Sequence, residues 1–181
     1  MAAHKVVFGA FKTPTGAQGA VHSLESHGFL HRDISVLMTE SARQHFATVQ
    51  KNTKGPEGAA LGGFAGGVVG AIAAGLTAVV TVAVPGIGLL AAGPLVAVLA
   101  GAGAGAAAGG VLGGLIGLGM SEHEAKLYED TIRGGGVVVA VDTRSDDETK
   151  RAQNIFDESG ALKINTERGK PADVSPPAYN Y

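Results

Sequence analysis

Between Gly58 and Ser121 the chain carries no Lys, Arg, Asp, Glu or His; every such residue among the 181 lies at or before Glu57 or at or after Glu122. A run this long without charge has to be covered by something other than water, and its glycines restrict how. Gly58, Gly62, Gly66 and Gly70 recur every four residues, and Gly101, Gly105, Gly109, Gly113 and Gly117 do the same. At 3.6 residues per turn a fourfold spacing drifts slowly around a helix, so each set predicts a helix with one smooth side against which a second backbone can lie. Between the sets, Pro85, Gly86, Gly88, Gly93 and Pro94 predict a break and a reversal of the chain. The expectation is a glycine-zipper helical hairpin over 58–121.

Such helices need support. About sixteen glycines in the two arms cost on the order of 1 kcal/mol each relative to alanine, roughly 16 kcal/mol together. Lipid, which forces backbone hydrogen bonds inside the segment, or close contact with other helices would supply that support. The arms 58–84 and 94–120 are 27 residues each, or about 40 Å as helix against a hydrocarbon core of roughly 30 Å. Yet 65–84 holds only eight large aliphatic residues, and the turn 85–94 has no polar side chain to sit in a far aqueous phase. A two-pass span, a re-entrant hairpin and a water-excluded core built by many subunits therefore all stay open.

The polar ends read as two copies of one unit. Lys5 to Phe11 (KVVFGAF) is a β-branched apolar run, a Thr-Pro-Thr turn starts a helix over 15–27, Gly28 closes it, and 34–38 (ISVLM) is a second strand. Far along the chain 137–141 (VVVAV) is a strand, Ser145 caps a helix over 148–158, Gly160 ends it and 162–165 is a strand. An offset of 132 residues lays Val6 on Val138, Ala20 on Ala152 and Gly28 on Gly160. Neither βαβ copy buries enough alone, so the pair predicts a four-stranded sheet with two helices on one side. The fold class is then α+β, a split ferredoxin-like βαβ + βαβ layer interrupted by the hairpin. Its parts are a first unit (1–40), a connector helix (41–57), the hairpin (58–121), a second connector helix with the second unit (122–168), and a proline-bearing disordered tail (169–181). The second connector carries a capping box at Ser121 and Glu124, and Leu127 and Tyr128 are expected to face the sheet or the hairpin.

A net charge of -2 gives no basic field for phosphate backbones, which argues against nucleic acid. Without cysteine there is no disulfide or thiolate site, and residues 1–20 lack the basic and apolar blocks of a signal peptide.

The strings TKGPEGAALGG at 53–63, VPGIGLLAAGP at 84–94 and GLGMSEHEAKLYEDTIRGGGVVVAV at 117–141 resemble the bacterial general stress protein family of the heat-induced type, over nearly all of the chain to about residue 165. More distantly they resemble the small membrane-hairpin subunit of a quinol-oxidising respiratory complex. The resemblance implies a stress-associated, membrane-linked or self-assembling protein and supplies no catalytic residue.

Candidate chemical sites are weaker than their bland readings. His22, His27 and His31 lose helical i,i+4 spacing at Gly28, and Glu122, His123 and Glu124 are what a helix dipole favours in a first turn. Gly134 to Gly136 precede a strand, the wrong order for a phosphate loop, and Gly101, Gly103 and Gly105 lack the strand and acid of a dinucleotide site. Pro176-Pro177-Ala178-Tyr179 matches a WW-domain ligand in a chain that looks bacterial. The expected function is non-enzymatic, without cofactor or metal: a homo-oligomer joined through its zipper glycines at a lipid membrane. Its place would be the bacterial inner membrane with both termini cytoplasmic. A cytoplasmic shell or filament, or a regulatory subunit of a membrane enzyme complex, is the alternative.

Overall fold

The computed structural model describes residues 4–39, 41–42, 80–84, 87–93 and 104–168. They form a mixed α+β arrangement of six strands and four α-helices among the described residues. In chain order these are β1 (Lys5–Phe11), α1 (Pro14–Ser26), a 3-10 turn (His31–Asp33), β2 (Ile34–Thr39), β3 (Val80–Val84), β4 (Ile87–Ala92), α2 (Ala104–Gly117), α3 (Glu122–Arg133), β5 (Val137–Thr143), α4 (Asp146–Glu158) and β6 (Lys163–Arg168).

Local chemistry sets the ends of α1 and α4 in the same way, 132 residues apart. Thr13 Oγ1 accepts from the amide of Gly16 and Ser145 Oγ from that of Glu148, each cap satisfying one orphan donor of a first turn. At the other end Gly28 (φ +89°) and Gly160 (φ +78°) take the left-handed conformation that a helix terminator needs. The amide of Phe29 then donates to Leu24 O, and that of Ala161 to Phe156 O, both at 3.0 Å. Strands β1 and β5 match at the same offset. The 3-10 turn His31–Asp33 lengthens the first copy by one short turn before its second strand.

All strand pairs are antiparallel, in the order β3-β4-β2-β5-β1-β6. Both faces of β1, β2 and β5 are covered. Val7, Phe11, Val36, Val139 and Val141 point to α1 and α4, where Ala20, Leu24, Ala152 and Phe156 meet them. Val6, Phe8, Leu37, Val138 and Ala140 point the other way, to Val111 and Leu115 of α2 and to Ala125, Tyr128 and Ile132 of α3. The sequence placed the two repeat helices on one side and left the second connector helix facing either the sheet or the hairpin. Burial on both faces is why β1 and β5 are apolar at nearly every position instead of alternating. Tyr128 meets Phe8 edge-on at a ring separation of 6.1 Å, while its neighbour Leu127 turns outward. Tyr128 thus faces the sheet, one of the two expected placements, whereas Leu127 lies off that face because positions 125, 128 and 132 share it and 127 does not; its expected alternative, the hairpin, falls largely outside the described residues.

The apolar centre departs from two uninterrupted helical arms. Val80–Val84, the end of the first expected arm, is a strand, and Ile87–Ala92 pairs with it, Val84 opposite Ile87. The reversal occurs between Val84 and Ile87, across Pro85 and Gly86, which themselves lie outside the described residues. It joins strands, not helices. The reason is β-branching: Val80-Thr81-Val82 resists the helix that the charge pattern suggested and suits a pleated strand. β4 then pairs with β2, placing Gly88 within a strand, and Gly93 follows with φ +100°. A Cβ on Gly93 would collide with the backbone of Ile34 and Ser35, so only glycine lets the end of β4 come this close. Of the second arm, α2 is helical, with a break at Gly110 (φ +59°, ψ -139°). Of the first connector helix only Ser41 and Ala42 are described, helical and tied by the Ala42 amide to Thr39 Oγ1 at 3.1 Å. All of 43–79, Pro94 with the rest of 94–103, and the tail 169–181 lie outside the described residues.

Candidate interaction surface

α2 is uncharged along its whole length, and within 111–118 one side of it is buried while the other is partly open. Val111, Gly114, Leu115 and Leu118 are buried, and Met120 follows them under α3. The 3.6-residue period turns the zipper glycines elsewhere: Gly113 is half-buried and Gly117 exposed, with Ile116 between them 41% exposed. Leu127 of α3, which packs beside α2, is another large apolar side chain left open in this layer. Gly105 and Gly109 lie in the first half of the helix, before the break at Gly110, so the fourfold register does not run along one straight axis. Gly58, Gly62, Gly66, Gly70 and Gly101 lie outside the described residues.

Polar groups gather at two places, the first of which sequence reasoning did not single out. At one end of the sheet, Arg144 Nη2 donates to Asp33 Oδ1 at 2.7 Å and Lys5 Nζ to Asp146 Oδ1 at 2.6 Å. Each pair joins one repeat copy to the other. Thr143 Oγ1 donates to Lys5 O at 3.1 Å and lies 2.8 Å from Thr149 Oγ1. Burial, with Asp33 nearby, pushes the Asp142 carboxyl above its ordinary range, whereas the hydrogen bond and charge of Lys5 hold Asp146 below it. The only forewarning was an aspartate at the end of a run of valines.

Beside the sheet edge, Ser121 Oγ donates to Glu124 Oε2 at 2.7 Å and accepts from its amide, so the predicted capping box forms. That hydrogen bond holds the Glu124 carboxyl low, with Lys163 contributing. Tyr128 Oη donates to Phe8 O at 3.3 Å, and burial pushes its hydroxyl well above the usual range, so it serves as a neutral core donor. Among the described residues no group of three His, Asp or Glu side chains is placed to hold a metal ion. His31 Nε2 lies 2.8 Å from Glu25 Oε1, and His27 Nδ1 lies 2.7 Å from Ser23 O; these contacts tie the end of α1. Gly136 is where a helix-to-strand turn needs it: an added Cβ would stand 2.6 Å from Phe11 O.

Compared with family models, with curated proteins and with solved structures, the chain matches none. Among the described residues, no helix is long and apolar enough to cross a membrane.

Proposed function

We propose that this chain is a non-enzymatic, stress-associated protein that self-associates through the small-residue side of its glycine zippers, while a ferredoxin-like layer holds the apolar segment in place. One observation carries the reading. Gly113, Ile116 and Gly117 stand on the side of α2 away from the sheet, uncharged and incompletely covered, where a second backbone can approach. The strand order β6-β1-β5-β2, with α1 and α4 on one face, supports the ferredoxin-like reading of the two repeated units. The shortest long-range polar side-chain contacts, Arg144 with Asp33 and Lys5 with Asp146, tie one copy to the other, and Thr13, Ser121 and Ser145 cap helices, which suits a scaffold.

In the membrane-linked form of this reading, the domain remains in the cytoplasm and the apolar residues outside the sheet meet lipid at the inner membrane. The pairing of β4 with β2 favours a second form, an assembly that excludes water without lipid, since it draws the expected hairpin tip back to the domain. The two forms separate in one fractionation of cells expressing the native chain. Carbonate-washed membranes retain a lipid-anchored protein, whereas a large detergent-free particle marks the second form. A monomer in the soluble fraction at every concentration would refute both.

A further inference from the structure

We infer that β6 is a dimerisation edge at which a second copy of this chain pairs antiparallel, Lys163 of one copy opposite Glu167 of the other, about a two-fold axis through Asn165. This contact is separate from the glycine surface of α2 and does not depend on it.

β6 is hydrogen-bonded to β1 on one side, in unbroken register from Lys5 opposite Arg168 to Ala10 opposite Lys163, and pairs with no other strand among the described residues. It contains no proline and no bulge, two of the devices that close an edge; charged side chains are a third, and the Thr166 amide donates to Asn165 Oδ1 at 2.9 Å, a local bond that the pairing exchanges for one across the axis. Its charges have a pattern of their own. Val7 and Thr166 are paired, as are Gly9 and Ile164, so Ile164 and Thr166 lie on the α4 face, and Gln153 of α4 donates to Thr166 Oγ1 at 2.9 Å. Lys163, Asn165 and Glu167 lie on the opposite face, toward α3.

A two-fold axis perpendicular to the sheet keeps each helical layer on its own side in both copies. That condition allows only registers in which residues of the same face oppose each other. Centred on Asn165, the pairing sets Lys163 against Glu167 twice, Ile164 against Thr166 twice, and Leu162 against Arg168 twice. Leu162 is 62% exposed, and the aliphatic stem of an arginine is the kind of group that covers such a side chain while its head stays in water. Shifting the register by two in one direction puts Lys163 opposite Asn165, and in the other carries it past the strand end. Shifting it by one reverses the layers, and one such shift brings Lys163 against Arg168, a like-charge pair. Charge complementarity thus selects a single register: the two-residue shifts lose both Lys163–Glu167 pairs, and one of the one-residue shifts sets like charges opposite each other.

The chain has no cysteine, so Asn165→Cys places one thiol on the axis, within a few ångströms of its counterpart. The full chain carrying Asn165→Cys is treated in dilute solution with a mild oxidant or a short bis-maleimide, with and without Gly117→Leu. A covalent dimer is expected as the main product in both backgrounds, while Leu30→Cys, exposed but distant from the axis, stays monomeric. Adding Lys163→Glu or Glu167→Lys should abolish the dimer, and the two together should restore it, with circular dichroism reporting that each variant is folded. No dimer above the Leu30→Cys level, or one indifferent to charge reversal, overturns the proposal. So does a dimer that forms only after removal of 169–181, which would make the tail the occupant of this edge.

Discussion

Gly9 sits in the middle of β1 with its α4 side filled by an aromatic ring. A Cβ built there would stand 2.8 Å from Phe156 Cδ2 and 2.9 Å from its Cγ, with Phe11 Cε2 at 3.1 Å. Ordinary carbon contacts lie at about 3.5–4.0 Å, so Gly9→Ala requires the Phe156 ring to retreat by roughly an ångström. It has little room. Phe156 is fully buried and meets Phe11 edge-on at 5.7 Å. Overpacking of this kind costs about 1–3 kcal/mol, partly offset by about 0.4–1 kcal/mol from the lower entropy of the unfolded chain. The net loss is about 1–2 kcal/mol, measurable as a lowered urea midpoint. Phe156→Leu should relieve the clash, so Gly9→Ala should cost much less in that background, with a coupling of about 0.5–3 kcal/mol in a double-mutant cycle. Additive effects, or stabilisation by Gly9→Ala alone, would refute the close contact of β1 and α4.

Thr13→Ala and Ser145→Ala should each cost about 1 kcal/mol in denaturant unfolding and should add in the double variant, because the caps belong to separate helices. Asp142 has a carboxyl raised by burial, so the folded chain binds its proton more tightly than the unfolded one, and stability falls as pH rises from about 3.8 through the folded value. Asp142→Asn should remove that decline and raise the melting temperature at pH 7; an unchanged pH profile would count against the burial of this group. Gly93→Ala should detach β4 from β2, read as faster amide exchange over Val80–Val84 and Ile87–Ala92 with β5 and β1 still protected.

What was legible in the sequence was mostly local. Thr13, Gly28, Ser145 and Gly160 announce their helix ends through side-chain or backbone chemistry that acts within a few residues, and the 132-residue offset makes each end a check on the other. Strands β1, β2, β5 and β6 were found for the same reason, within a residue to three of their ends. The misreading of Val80–Val84 came from weighing absence of charge above β-branching, since an uncharged valine-rich run fits a buried strand and an apolar helix alike. The second helical layer could not be read directly, because Leu115 and Tyr128 find their partners on distant strands, though the lack of a polar face in VVVAV pointed to one. The Asp33–Arg144 pair is likewise long-range, joining residues with no local signal to link them. Of the interaction surface, the glycine spacing was visible early. Which side of α2 stays open depends on Val111, Leu115 and Leu118 meeting the sheet, and that needed the fold.

The most direct trial of self-association is the particle size of Gly117→Leu beside the parent chain, by sedimentation velocity across a concentration series with and without mild detergent. Gly117 is exposed and its φ is not positive, so leucine there should leave the folded subunit intact, with an unchanged far-ultraviolet spectrum. The proposed function requires the variant to sediment as a smaller species than the parent, because a leucine side chain now stands where a backbone must approach. Identical sedimentation of the two proteins, both larger than one chain, would show that assembly does not use this side of α2.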